Sequence, residues 1–343
     1  MTHSFQLSVV IPAYNAESTL GRALESVVSQ TCLAKEIVVV DDGSTDATAK
    51  VAADFGSAVK FFRKENGGAS SARNFGISKC QHEWIAFLDS DDVWLPNHNQ
   101  NFRDLLWSHP ELNWAFGRYE IEKDQQRLRL SSLGSLTPNQ AATTGHNALQ
   151  LLATGCSIWT SAVVVRKSCL EEVGGFDERQ KTSHDTDLWF RLAVAYQRIG
   201  FASEPVAKYN VGNADSLTGL AAAGQDETWI LSIERYLKAA ETLKPKDQEW
   251  VAQFVRFKSN QKLRNTIKGG NTKHAKWLLR EYQRLNINGI DRRYRLLASL
   301  PSTLLGWLRR LLLLAKGSVK PAHQNTPVKQ PFKSKELDEQ SNT

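Results

Sequence analysis

LSVVIPAY, residues 7–14, runs into NAESTL; KEIVVVDD, residues 35–42, runs into GSTD; EWIAFLD, residues 83–89, runs into SDD. The first run is almost continuously apolar, as a strand buried on both faces requires. The second is rich in β-branched residues and ends at Gly43. Between them, Leu20, Ala23, Leu24 and Val27 recur at helical spacing, with Ser18 in place to cap the helix. Ser44 or Asp46 can cap the next helix, ATAKVAADF. A short strand near 59–63, the pair Gly67-Gly68 and a helix over 70–80 then lead to the run at 83–89. This β-α-β-α order predicts an α/β fold with a parallel, doubly wound sheet and right-handed crossovers.

Farther on, 113–122 and 161–167 read as strands and 186–197 as a helix whose apolar residues form one broad stripe. Residues 226–243, 247–267 and 271–285 read as three helices, and the polar, proline-punctuated stretch 321–343 as disordered. The division expected is a catalytic domain over 1–224, a helical extension over 225–316 and a tail over 317–343. With 41% hydrophobic and 23% charged residues, the 343-residue chain has enough apolar surface for a packed core. Cys32, Cys80, Cys156 and Cys169 lack C-x-x-C spacing, which fits reduced, mostly buried thiols of a cytoplasmic protein. No signal peptide or spanning run is evident. Arg292 to Lys320 holds seven basic residues and no acid, which accounts for the net charge of +7. Such a local patch points to a local partner, such as an anionic membrane surface or a nucleic acid, and not to a protein that binds nucleic acid as a whole. On a helical wheel Leu304 to Lys316 reads as an amphipathic helix with a basic face, suited to a membrane interface or to docking on the catalytic domain.

Ligands of an open α/β sheet bind beyond the carboxyl ends of its strands. Four polar clusters fall there: Pro12-Ala13-Tyr14-Asn15-Ala16-Glu17, Asp41-Asp42-Gly43-Ser44, Asn66-Gly67-Gly68 with Arg73 and Asn74, and Asp89-Ser90-Asp91-Asp92. Carboxylates as close as Asp89, Asp91 and Asp92 repel one another unless a cation sits among them. Mg²⁺ or Mn²⁺, which take one or two carboxylates plus substrate phosphates, suit that need. The alternative is a polar turn in which Asp91 or Asp92 caps the helix after Pro96. Tyr14 can stack on a base, Asp41 can accept from a base or ribose, and Arg73 near a glycine-rich helix start can meet a diphosphate. Gly174-Gly175-Phe176-Asp177 forms an acidic turn where backbone can approach an acceptor. Asp185 or Asp187, at the start of the helix over 186–197, can act as a general base or simply cap the helix.

The pieces SVVIPAYNAESTL, VVVDDGSTD, GGASSARNFGI, FLDSDD, GGFDE and HDTDLWFRLA, in this order over residues 8–197, resemble glycosyltransferase family 2. The resemblance implies the GT-A fold: a doubly wound, mostly parallel sheet flanked by helices, here with an α-helical C-terminal extension. It implies an inverting transferase that moves a sugar from a nucleotide-diphosphosugar to a hydroxyl of a glycan or lipid-linked acceptor. A uridine donor, a divalent metal and a role in polysaccharide assembly at the inner face of the cell membrane follow by analogy. The nucleotide-sugar contacts implied are Pro12, Tyr14, Glu17, Asp41, Arg73 and Asp89. Asp91 is placed on the metal and Asp185 as base, with Asp187 second; many relatives carry Glu where this chain has His184. The processive synthases' Q-x-x-R-W motif is absent, which implies single addition. The rival readings are a nucleotidyltransferase, which needs a basic glycine-rich loop where this chain has PAYNAES, and a non-catalytic sugar-nucleotide-binding protein.

Overall fold

The computed structural model describes residues 5–123, 126–136, 145–180, 182–211 and 228–300. The expected helix over 304–316 and the tail over 317–343 lie outside the described residues. Strands β1 (Leu7–Ala13), β2 (Glu36–Asp41), β3 (Lys60–Arg63) and β4 (Trp84–Phe87) are parallel, in the order β3-β2-β1-β4. Every residue of β1, β2 and β4 is buried, which matches their apolar sequence. The sheet then turns mixed. β9 (Val163–Arg166) runs antiparallel to both β4 and β6 (Trp114–Lys123). Beyond β6 lies β10 (Arg198–Asn210), parallel to it, and β5 (Val93–Trp94) pairs antiparallel with β10. β7 (Gln126–Leu130) and β8 (His146–Asn147) attach to β6 and β10.

Helices α1 (Leu20–Val28), α2 (Thr48–Ala53) and α3 (Gly68–Lys79) make the crossovers between the parallel strands. Leu20, Ala23, Leu24 and Val27 of α1 are buried as the periodicity requires. The caps differ from the sequence reading. Thr19, not Ser18, is the N-cap of α1, and it makes no side-chain capping bond. Ala47 precedes α2, and Asp46 serves from one residue earlier by accepting from the Thr48 backbone at 3.0 Å. α4 (His98–Ser108) begins after Asn97, so Asp91 and Asp92 do not cap it. α5 (Ala148–Ala153) and α6 (Lys167–Glu172) precede α7 (His184–Ala195).

The C-terminal helices are α8 (Thr228–Ala240), α9 (Pro245–Gly269), α10 (Thr272–Arg284) and α11 (Arg292–Ser299). Pro245 opens α9, where its missing N–H costs nothing, and Gly270 closes it at φ 86°. Phe190 of α7 stacks on Phe254 of α9 and packs against Tyr236 of α8, so this group is joined to the sheet domain through a shared aromatic core.

One glycine sets the height of α3 above the sheet. A Cβ at Gly76 would lie 2.5 Å from Val10 Cγ1 of β1 and 3.4 Å from Val40 Cγ2 of β2. The helix backbone therefore rests directly on the sheet. Gly76→Val should lower the free energy of unfolding by about 1–3 kcal/mol, the usual cost of overpacking. Urea denaturation measures this, and a variant as stable as the parent would show that α3 does not rest on β1.

Candidate active site

The carboxyl ends of β1, β2 and β4 open on one edge of the sheet, and the loop after β1 is tied to the loop after β2. The Asn15 N–H donates to Ser44 Oγ at 2.9 Å, and Thr45 N–H donates to Asn15 Oδ1 at 2.9 Å. Glu17 Oε2 accepts from Ala47 N–H at 2.9 Å, so this carboxylate braces the loop. Pro12 is in β1, paired with Val40, and Tyr14 beside it is 52% exposed, open for stacking. Asp41 is fully buried. Its Oδ1 accepts from Ser44 N–H, while Oδ2 has no hydrogen-bond partner and sits 3.6 Å from Arg63 Nε. Asp42 is used differently. It accepts from Lys64 and from the N–H groups of Gly67 and Gly68, which pins the start of α3.

At the end of β4 the three aspartates separate in role. Asp92 is buried, and its Oδ2 accepts from Trp159 Nε1 at 2.7 Å and Ser161 Oγ at 2.6 Å. Burial, then the charges of Asp89 and Asp91, push its carboxyl well above the usual range. Asp92 therefore anchors the turn to the loop before β9. Asp89 pairs with Arg73 of α3. Asp91 makes no side-chain hydrogen bond among the described residues; burial first and the neighbouring Asp89 charge second push its carboxyl up to about 6. Among the described residues no group of three or more His, Cys, Asp or Glu is arranged to hold a metal ion. The donor set instead fits a hard cation that takes Asp91, with Asp89 close by, and completes its shell from substrate phosphate. Such a cation would relieve the repulsion that raises Asp91.

Arg73 is 4% exposed, so its guanidinium has left water and needs partners. Nη2 donates to Asp89, Nη1 donates to His184 Nε2 at 2.9 Å, and the plane lies 5.3 Å from the Phe176 ring centroid. Three chain segments thus meet at one side chain. The expected diphosphate contact is not made by a free guanidinium, since both terminal nitrogens are engaged and only Nε lacks a partner. The next residue, Asn74, clamps the Phe176 peptide from both sides: Oδ1 accepts from Phe176 N–H at 2.8 Å and Nδ2 donates to Phe176 O at 2.9 Å. Gly175, at φ 63°, has to be glycine here, because a Cβ would lie 2.6 Å from Asn74 Oδ1.

The segment read as an acceptor loop is held by residues of the helices and strand around it. Gly174 sits at φ 82°. Phe176 is buried against Phe87 and Trp189. Asp177 pairs with Arg179 and Arg235, which hold its carboxyl far below the usual range. The two candidate bases also separate. Asp187 is fully buried and accepts from Arg191 Nε at 2.8 Å and Arg235 Nη1 at 2.7 Å. Asp185 is only partly buried, and its Oδ1 accepts from Thr186 N–H at 2.6 Å. Trp159 and Ser161 carry no role in the sequence reading, and the partners of Asn74 and His184 could not be read there, because they are far away in the chain; the buried Arg73–His184 contact alone spans 111 residues.

A profile described as glycosyl transferase family 2 matches residues 8–173. An uncharacterized glycosyltransferase of Rickettsia typhi is 31% identical over 227 residues, covering 63% of this chain and 67% of the relative. Against three other Rickettsia glycosyltransferases the chain spans about a third of the relative's length or less. An Escherichia coli protein named UDP-Glc:alpha-D-GlcNAc-diphosphoundecaprenol beta-1,3-glucosyltransferase is 34% identical over 119 residues, 34% of this chain and 47% of that one. The crystal structure of Staphylococcus aureus TarS 1-349 with UDP-GlcNAc superposes with a TM-score of 0.61 at 17% identity, over 82% of this chain and 88% of that one. That likeness identifies the fold.

Because Arg73 always donates, His184 Nε2 accepts and the ring is neutral. Burial, and then the Arg73 charge, lower its proton affinity. The unfolded chain therefore takes up a proton near the ordinary histidine value of about 6.5 while the folded chain resists it, so this contribution to stability is lost as pH falls below about 6.5. Gln at position 184 keeps an acceptor and does not titrate. Thermal melts between about pH 7 and pH 5 should show a smaller loss for His184→Gln than for the parent; equal losses would contradict this placement.

Proposed function

The chain belongs to glycosyltransferase family 2, and from that premise we propose that it is an inverting, metal-dependent transferase moving a sugar from a uridine-diphosphosugar to a hydroxyl of a glycan or lipid-linked acceptor. The observation that carries the reading is Asp91: a partly buried carboxylate with no side-chain hydrogen bond among the described residues, raised by burial and by Asp89, at the carboxyl end of β4. A purely structural turn would have satisfied it as Asp92 is satisfied. The uridine donor is supported by the UDP-GlcNAc bound to TarS and by the name of the E. coli relative. That name also supports an acceptor carried on a diphospholipid. Among the described residues no helix is long and apolar enough to cross a membrane.

In this reading Asp41 offers to the base its Oδ2, which makes no hydrogen bond and lies 3.6 Å from Arg63 Nε, and Tyr14 offers its exposed ring for stacking. Asp91, with Asp89 close by, would hold Mn²⁺ or Mg²⁺, which would supply positive charge to offset that of the departing diphosphate. Asp185 takes the proton from the acceptor hydroxyl as that oxygen attacks the anomeric carbon. The new bond forms as the bond to the diphosphate oxygen breaks, on the opposite face, so the configuration inverts. Asp185 is favoured over Asp187 because the latter already neutralises two guanidinium groups. The neutral His184 beside it keeps Arg73 in place without adding a second carboxylate next to the base.

The test is nucleoside-diphosphate release from a panel of nucleotide sugars, with lipid-linked and free glycan acceptors. Asp91→Ala and EDTA treatment should each abolish release. Asp185→Asn should lower kcat by roughly 10²–10⁴-fold, the worth of a general base, with donor KM little changed. Asp187→Asn should act mainly on stability. Full activity in EDTA would remove the metal from the account, and a kcat loss in Asp187→Asn with none in Asp185→Asn would move the base to Asp187.

A further inference from the structure

The acidic turn after β4 touches an aromatic group that the proposed reaction leaves unused. The Asp92 carboxyl holds it there: Oδ2 accepts from Trp159 Nε1 at 2.7 Å, and Oδ1 accepts from the Asn210 N–H at 3.4 Å. Trp159, in the loop before β9, and Tyr209, near the end of β10, therefore meet beside the residue that follows Asp91. Their ring centroids are 4.1 Å apart, with planes 40° from parallel. Tyr119 of β6 backs both rings, with its centroid 6.2 Å from that of Trp159 and 6.5 Å from that of Tyr209, and its hydroxyl is hydrogen-bonded to Ser157 Oγ at 2.6 Å. Burial first, and last among its causes the Asp185 charge, push the Tyr119 phenol up to about 12, which agrees with an aromatic group that reaches from the acidic turn toward the base.

We propose that Trp159 and Tyr209 form an acceptor subsite: a platform beside the acidic turn on which a pyranose ring of the acceptor lies. Phe87, Trp114, Phe116, Phe176 and Trp189, the large aromatics deeper in the same domain, are fully buried. Trp159 and Tyr209 are not: they pack on the core and keep part of each ring accessible. A pyranose carries hydroxyls around its rim and a patch of C–H groups on its face. A flat aromatic ring covers that patch and leaves the hydroxyls to polar partners. Little order has to be imposed when the sugar arrives, because Asp92 already fixes the indole and the indole already packs on Tyr209. The sheet order puts this platform on the correct side. β1 and β2, which carry Tyr14 and Asp41 toward the nucleotide, lie on one side of β4; β9, β6 and β10 lie on the other. Donor and acceptor would thus approach the acidic turn from opposite sides, as displacement with inversion requires.

This inference rests on the transferase reading, but one arm of its test does not need turnover. The full-length chain labelled with fluorotryptophan gives a fluorine NMR line for Trp159, identified by its loss in Trp159→Phe. With UDP and Mg²⁺ present, methyl glycosides of glucose and N-acetylglucosamine should shift that line. Sorbitol, an open-chain polyol without a ring face, should not. A line that neither glycoside moves, or that sorbitol moves equally, would overturn the proposal. The second arm measures transfer to the best glycan acceptor. Tyr209→Leu keeps apolar bulk and removes the flat ring. It should raise acceptor KM by about tenfold, near the upper worth of one aromatic stacking contact, with donor KM unchanged. Tyr209→Phe should keep the parent value. A folded Tyr209→Leu enzyme with the parent's acceptor KM would overturn the proposal, and so would an equal rise in both KM values, which is what a merely structural role produces. If no donor is turned over at all, the proposed function fails while the fluorine line still decides whether a sugar ring lies on Trp159.

Discussion

A single buried guanidinium organises the functional edge of this protein. Arg73 cannot be left unpaired out of water, where breaking such a pair costs about 3–5 kcal/mol. It is satisfied only when the end of β4, the start of α7 and the loop before α7 come together around it. Asp89 then has a fixed place, and Asp91 two residues later makes no side-chain hydrogen bond among the described residues. His184 has a fixed place, and Asp185 next to it is bonded through Oδ1 to the Thr186 N–H. The arrangement separates the acids that hold the structure (Asp42, Asp92, Asp177 and Asp187, all saturated) from those available to a substrate.

The geometry begins with packing. α3 can present Arg73 and Asn74 to this edge because Gly76 lets its backbone sit on Val10 and Val40. Asn74 then repeats on a small scale what Arg73 does on a large one: it pairs both polar groups of the Phe176 peptide, which fixes the loop before α7. The sheet contributes through its change of direction at β9. That strand continues the sheet past β4, and the loop before it brings Trp159 and Ser161 onto Asp92. The acidic turn is thus held from the antiparallel half while it faces the parallel half's ligand edge.

The parallel half was legible in the sequence because buried strands must be apolar along their whole length, and LSVVIPA and EIVVVD are. The three long C-terminal helices were legible from periodicity, to within three residues at each end. β10 was not. Its sequence, RIGFASEPVAKYN, is interrupted by Glu204-Pro205, and the ladder with β6 slips there, at Ala202/Pro205 and Pro205/Ala207. Pro205 removes a ladder donor, and such an irregularity hides a strand from any alternation test. Asp41, Asp91 and Asp185 were legible as candidates, since acids at strand ends and at a helix start need no tertiary information. Their separation from Asp42, Asp92 and Asp187 was not, because it depends on partners such as Trp159 and Arg235 that only the fold brings near.

The most direct test of this account is the turnover of Arg73→Met, with its best nucleotide-sugar donor, in a preparation that still melts cooperatively. If Arg73 is what aligns Asp91 and Asp185, release of nucleoside diphosphate should fall by at least about 100-fold, the cost of displacing reacting groups by about an ångström. A folded Arg73→Met enzyme with parental turnover would contradict it.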